Sequence, residues 1–113
     1  MSESEELAMT SFKIIAHVGA ARSMYIEAVN AAKAGDFEKA ESLFEKGDEH
    51  FLRGHDVHAG LVQREAGGDP IAMTLMLAHA EDQLMSAESF KLVAEQLVDV
   101  YRRLEFAGSR QHS

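Results

Sequence analysis

Phe37, Ala40, Leu43, Phe44 and Phe51 recur at spacings of three, four and seven, which lays them along one face of an α-helix. The pattern predicts a helix from Asp36 to about Ala66. Upstream, the stretch from Glu3 to about Ala34 has no proline and one glycine, Gly19, and good helix formers dominate it, so it predicts a first helix. Downstream, the chain from Pro70 to about Phe106 predicts a third helix, with residues 107–113 as a loose tail. Ser2 and Glu5 have the spacing of a capping box. Gly35 suits the left-handed position that closes a helix, and Asp36 suits the cap that opens the next. In Gly67-Gly68-Asp69-Pro70 two glycines end a helix, Asp69 can cap the next, and Pro70 sits where its missing N–H costs nothing. Three helices joined by short loops must lie antiparallel, each about 45 Å long. The predicted fold class is all-α: one antiparallel three-helix bundle domain over residues 1–113.

The third helix carries more apolar surface than such a bundle can bury. Leu75, Met76 and Leu77 are consecutive and so cover about 200° of the circumference at about 100° per residue. With Ile71, Met73, Ala78, Ala80, Leu84 and Met85 they make this half of the helix apolar nearly all round. Self-association through it is the expectation; the plainer alternative is that the methionines widen the internal core. Two polar residues interrupt the stretch, His79 and Asp82. The strip Leu75, Ala78, Asp82, Met85, Ser89, Leu92 steps by threes and fours like a coiled-coil seam. A carboxylate there needs a basic partner, protonation or a metal shared between subunits, unless the strip is simply solvated. His79 suits proton shuttling, metal binding or phosphoryl transfer, or else is a core histidine bonded to backbone.

Composition narrows the function classes. There are 113 residues with 19 acidic and 11 basic side chains, a net charge of −8, where a nucleic-acid binder would carry a basic stripe. A single proline leaves little room for a turn-rich β fold. With no cysteine there is no disulfide, thiolate metal site or cysteine nucleophile. The most apolar run, Ile71 to Ala80, is too short to span a bilayer, and the acidic start differs from a secretory signal, so a cytoplasmic location without membrane insertion is expected. His50, His55 and His58 lie in the second helix, where the last two are spaced to share a divalent metal. None of the six histidines has a glutamate three residues before it, so a ferritin-like site is excluded.

The segment Leu77-Ala-His79-Ala-Glu-Asp82-Gln-Leu-Met85 resembles the His-Ala-Gln-Asp-x-Leu-Met signature of the lactose/cellobiose-type IIA components of the bacterial phosphotransferase system. Gly19-Ala-Ala-Arg22-Ser23 is similar to a helix-one segment of that family, Ala31 to Phe37 to its first interhelical turn, and Gly54-His55 to a pair in its second helix. The resemblance spans roughly Glu5 to Leu104. It implies that His79 is transiently phosphorylated on Nε2, receiving the group from the phosphocarrier protein HPr and passing it to a IIB component for uptake of a β-linked disaccharide. It implies that Asp82 lies on the threefold axis of a homotrimer, a nine-helix assembly, and helps hold a structural divalent metal, Mg2+. Met76, Ala80 and Met85 would shield the phosphoramidate from water, and the acidic charge would steer a basic face of HPr. Departures from the family pattern are Glu81 for glutamine, Gln83 for a frequent histidine, His58-Ala59 for glutamine–threonine, and Ala20 for a polar residue. A charge at Glu81 disfavours a neighbouring dianion unless it points away or pairs with a base.

A rival reading is a protein-interaction module. Ala34-Gly35-Asp36-Phe37-Glu38-Lys39-Ala40 also resembles the turn of a tetratricopeptide hairpin, but the chain holds no second copy of a repeat of about 34 residues.

Overall fold

In the computed structural model, which describes residues 1–112, the chain forms α1 (Glu3–Lys33), α2 (Phe37–Ala66) and α3 (Leu75–His112). No strand occurs among the described residues. The first two helices begin and end where local chemistry requires. Ser2 Oγ accepts from the Glu5 N–H at 3.1 Å, and Asp36 Oδ1 accepts from the Lys39 N–H at 3.1 Å, each satisfying a free amide of the first turn. Gly35 at φ +85° and Gly68 at φ +96° make the left-handed exits that side chains with a Cβ resist.

The third helix departs from expectation at both ends. Asp69 and Pro70 do not open it. The Asp69 carboxylate is held by Arg64, whose Nε and Nη2 donate to Oδ2 at 3.0 and 2.9 Å, so it is not available as a cap. Residues 69–74 instead run non-helically, with Ile71 half-buried against the core between α1, α2 and α3. Thr74 is the cap, its Oγ1 accepting from the Leu77 N–H at 3.1 Å. At the far end the helix continues through residues 107–112, where a loose tail was expected; Ser113 lies outside the described residues. A helix of 38 residues is about 57 Å long, and the molecule is accordingly a rod of 65 × 22 × 19 Å.

The helix α1 packs along both others, while α2 and α3 touch each other sparingly. Its buried positions Ile14, Val18, Ala21, Tyr25, Ala28 and Ala32 step by threes and fours down the axis of the bundle. Facing them are Ala40, Leu43 and Leu61 of α2 and Leu77, Ala80, Leu84, Ala87 and Ala94 of α3. The many alanines bring the backbones close. At Gly47 the approach is tightest: a Cβ there would lie 2.7 Å from Cε1 of the fully buried Tyr25. The Tyr25 hydroxyl donates to Asp48 Oδ1 at 2.7 Å, and the same oxygen is 3.0 Å from Lys91 Nζ, so one network ties all three helices together. Burial, and then the Asp48 carboxylate, hold the Tyr25 phenol well above its ordinary range, keeping it a neutral donor.

Candidate functional site

His79 is the fifth residue of α3, held in position by the Thr74 cap one turn earlier. It is exposed and lines an open apolar hollow with Leu75 and Met76. Among the described residues nothing in its own chain bonds the imidazole, so it is not a core histidine fixed by backbone, and either ring nitrogen can meet a partner. Of the residues expected to shield it, Met76 lines the hollow and Met85 is exposed further along the helix. Ala80 does not shield it, being fully buried against α1 and α2, about 100° round the helix.

The two flanks of α3 carry two of the residues that depart from the resembled pattern, Glu81 and Gln83. Glu81 points about 160° away from His79, toward α2. Its Oε2 is 3.4 Å from Nε2 of His58, so the extra acid faces away and meets a base. The two departures thus form one contact. On the other flank, Gln83 lies one turn beyond His79, and its Oε1 accepts from Arg22 Nη1 of α1 at 3.0 Å. Neither contact was legible from the sequence, because the partners are 23 and 61 residues apart and helical spacing says nothing about which flank meets which neighbour.

Asp82 faces away from the core. Leu75, Ala78, Asp82, Met85, Ser89 and Leu92 are all exposed on that outer strip, Leu75 at 88% and Met85 at 67%. The apolar excess of α3 therefore does not widen the internal core. The Asp82 carboxylate has no counter-charge within its chain among the described residues. Nor do any three His, Asp or Glu side chains among them converge to hold a metal. As donors for a hard divalent cation, which takes about six oxygens, one chain offers a single carboxylate, a set that fits only if several copies bring Asp82 together. The His55–His58 pair does not form a site either. His55 is exposed beside Asp56 at 3.8 Å, whereas His58 turns to Glu81. His50 stacks on His17 of α1 with ring centroids 5.8 Å apart, and its buried Nδ1 has no hydrogen-bond partner.

No helix is long and apolar enough to cross a membrane among the described residues. The Ala34–Ala40 segment is the turn between α1 and α2 of this one bundle.

A profile of the family described as "PTS system, Lactose/Cellobiose specific IIA subunit" matches residues 9–102. The lactose-specific EIIA component of Staphylococcus aureus strain N315 is 38% identical over 99 residues, covering 88% of this chain and 96% of that protein. The lichenan-specific phosphotransferase enzyme IIA component of Bacillus subtilis strain 168 is 38% identical over 100 residues, covering 88% of this chain and 91% of its own length. Among solved structures, the cellobiose-specific enzyme IIA of Bacillus anthracis superposes with a TM-score of 0.85 at 33% identity, over 93% of this chain and 94% of that one.

Proposed function

The chain belongs to the lactose/cellobiose-specific IIA family of the phosphotransferase system, and we propose that it is a phosphocarrier in which His79 takes a phosphoryl group from HPr and yields it to a IIB component. The observation that carries this reading is the exposed, unbonded imidazole of His79 in an apolar hollow at the start of α3. Transfer needs an imidazole nitrogen with a free lone pair and an open approach. The Nε2 lone pair forms a P–N bond to the incoming phosphorus as the donor's P–N bond breaks, its electron pair returning to the donor nitrogen. The reverse displacement passes the group on. Leu75 and Met76 limit water at the phosphoramidate, and the −8 charge favours a basic docking face on the donor.

The outer strip of α3 supports assembly into a homotrimer. Leu75, Met85, Leu92, Val93 and Val100 leave a long apolar surface exposed, of the kind that in soluble proteins marks an interaction site. On this reading the Asp82 carboxylates of the copies converge and would hold a divalent cation, Mg2+, which supplies neutralisation of their clustered charge. The substrate class is a β-linked sugar, as the lactose, lichenan and oligo-β-mannoside names of relatives suggest.

Incubation with phosphoenolpyruvate, enzyme I and HPr tests the carrier role: an acid-labile mass gain of one phosphoryl group is expected. Its absence with a competent HPr would overturn the reading. The assembly is tested through Asp82→Asn, which removes the like charges and with them the need for the ion. The parent is expected to lose trimer mass or melting temperature on adding chelator, and the variant is not. A parent insensitive to chelator would count against the metal at Asp82.

A further inference from the structure

Resting on the phosphocarrier reading, we propose that Arg22 is the cation that holds the phosphoryl group on His79. The Arg22 side chain reaches from α1 to the His79 flank of α3 and is half-buried there. Its anchor, Gln83, lies four residues beyond His79, so the two side chains are neighbours about 40° apart on the helix surface. In a chain with 19 acidic side chains, Arg22 makes no ion pair among the described residues. Among the described residues the other half-buried cation, Lys91, is neutralised by Asp48, whereas the remaining arginines are exposed: Arg64 and Arg103 pair with Asp69 and Asp99, Arg102 lies over the Phe37 ring, and Arg53 makes no ion pair. Arg22 is bonded instead to a neutral amide, through one of five guanidinium N–H groups. A partly desolvated guanidinium without a counter-charge, bonded to the side chain one turn beyond His79, is a ready phosphate partner.

The surrounding charges favour such a partner. Asp82 occupies the strip next to His79, three residues on, and its carboxylate adds to the negative charge beside the dianion wherever the shared cation does not offset it. Glu81 contributes less, because it is turned to the opposite flank and faces His58. In the transfer, the P–N bond to Nε2 forms as the donor's P–N bond breaks, and the donor nitrogen keeps the electron pair. Arg22 exchanges no proton. It redirects N–H groups to the phosphoryl oxygens, and Gln83 keeps it in reach when His79 is free.

With a phosphohistidine donor, the bond broken and the bond made are alike, so the transfer equilibrium reads what surrounds each phosphate. The test is that equilibrium between labelled phospho-HPr and the full chain. For Arg22→Gln it should move toward the donor by about tenfold, the scale of a charge-assisted phosphate contact. Arg22→Lys should recover part of the loss by restoring charge without the fork. Gln83→Leu removes the resting anchor and leaves the charge, so it should stay within about twofold of the parent. Added salt should shrink the parent's advantage over Arg22→Gln. If Arg22→Gln shares the label like the parent, the assignment of Arg22 is wrong and the carrier role stands. A loss in Gln83→Leu equal to that in Arg22→Gln would also overturn it, because helix packing would then explain both. A parent that takes no label at all overturns the phosphocarrier reading itself.

Discussion

His79→Ala will take up no phosphoryl group from phospho-HPr and will fold as the parent does. The loss is complete because a methyl group offers no lone pair to phosphorus, and no nearby histidine replaces it. His58 is turned to Glu81 across the helix, and His55 lies on α2. The fold survives because His79 is exposed and bonds to nothing within the described chain. Surface changes of this kind alter stability by about 0.5 kcal/mol or less, and alanine is the better helix former. The measurement is intact mass after incubation with the donor system, beside a circular-dichroism melt. A phosphorylated His79→Ala protein would overturn the site.

Gly47→Ala will cause the largest loss of stability among the conservative changes considered, about 2 kcal/mol after a helix-propensity gain of about 1 kcal/mol. The added Cβ would lie 2.7 Å from Cε1 and 3.0 Å from Cδ1 of Tyr25. That ring has nowhere to go. It is fully buried, packs on Phe44 with centroids 5.2 Å apart, and is anchored through its hydroxyl to Asp48, which Lys91 holds in turn. Gly60→Ala is the control, since it also lies inside α2 and a Cβ there meets nothing within 4 Å. It gains the same propensity without the clash and should melt above the parent. At matched protein concentration, Gly47→Ala should melt several degrees below it, at about 4–8 °C per kcal/mol for a domain near this size. If the two variants melt alike, the close packing of α2 on Tyr25 is not what limits that position.

Both predictions depend on neighbours that the sequence revealed unequally. The motif around His79 was legible, because the histidine and its apolar neighbours lie within one turn of a helix. Gly47 gave no signal of its own. In sequence it is a glycine inside a helical pattern, and only the Tyr25 ring beside it makes it necessary. Asp82 was legible as an acid on an apolar strip, and the structure adds that the strip faces outward. Glu81 raised the question of repulsion at a phosphorylated histidine; the answer required the His58 side chain on another helix. Arg22 lay within a recognisable segment, yet its reach to Gln83 was invisible, since 61 residues separate the two.

By itself the sequence determined three helices, the caps at Ser2 and Asp36, the glycine exits, the family, and the helix that carries His79 and Asp82. The helices, caps and exits depend on interactions within four residues, which short-range patterns encode, and the family on motifs spread along the chain. The tertiary structure alone decided where α3 begins. Asp69 had the right residue type and position to cap it, but Arg64 takes its carboxylate and Ile71 packs on the core, so the chain stays non-helical until Thr74. It also decided the flanks, sending Glu81 toward α2 and Gln83 toward α1. The reason is rotational: sequence period fixes the angles between residues on one helix, but only packing fixes how that helix is turned against its neighbours.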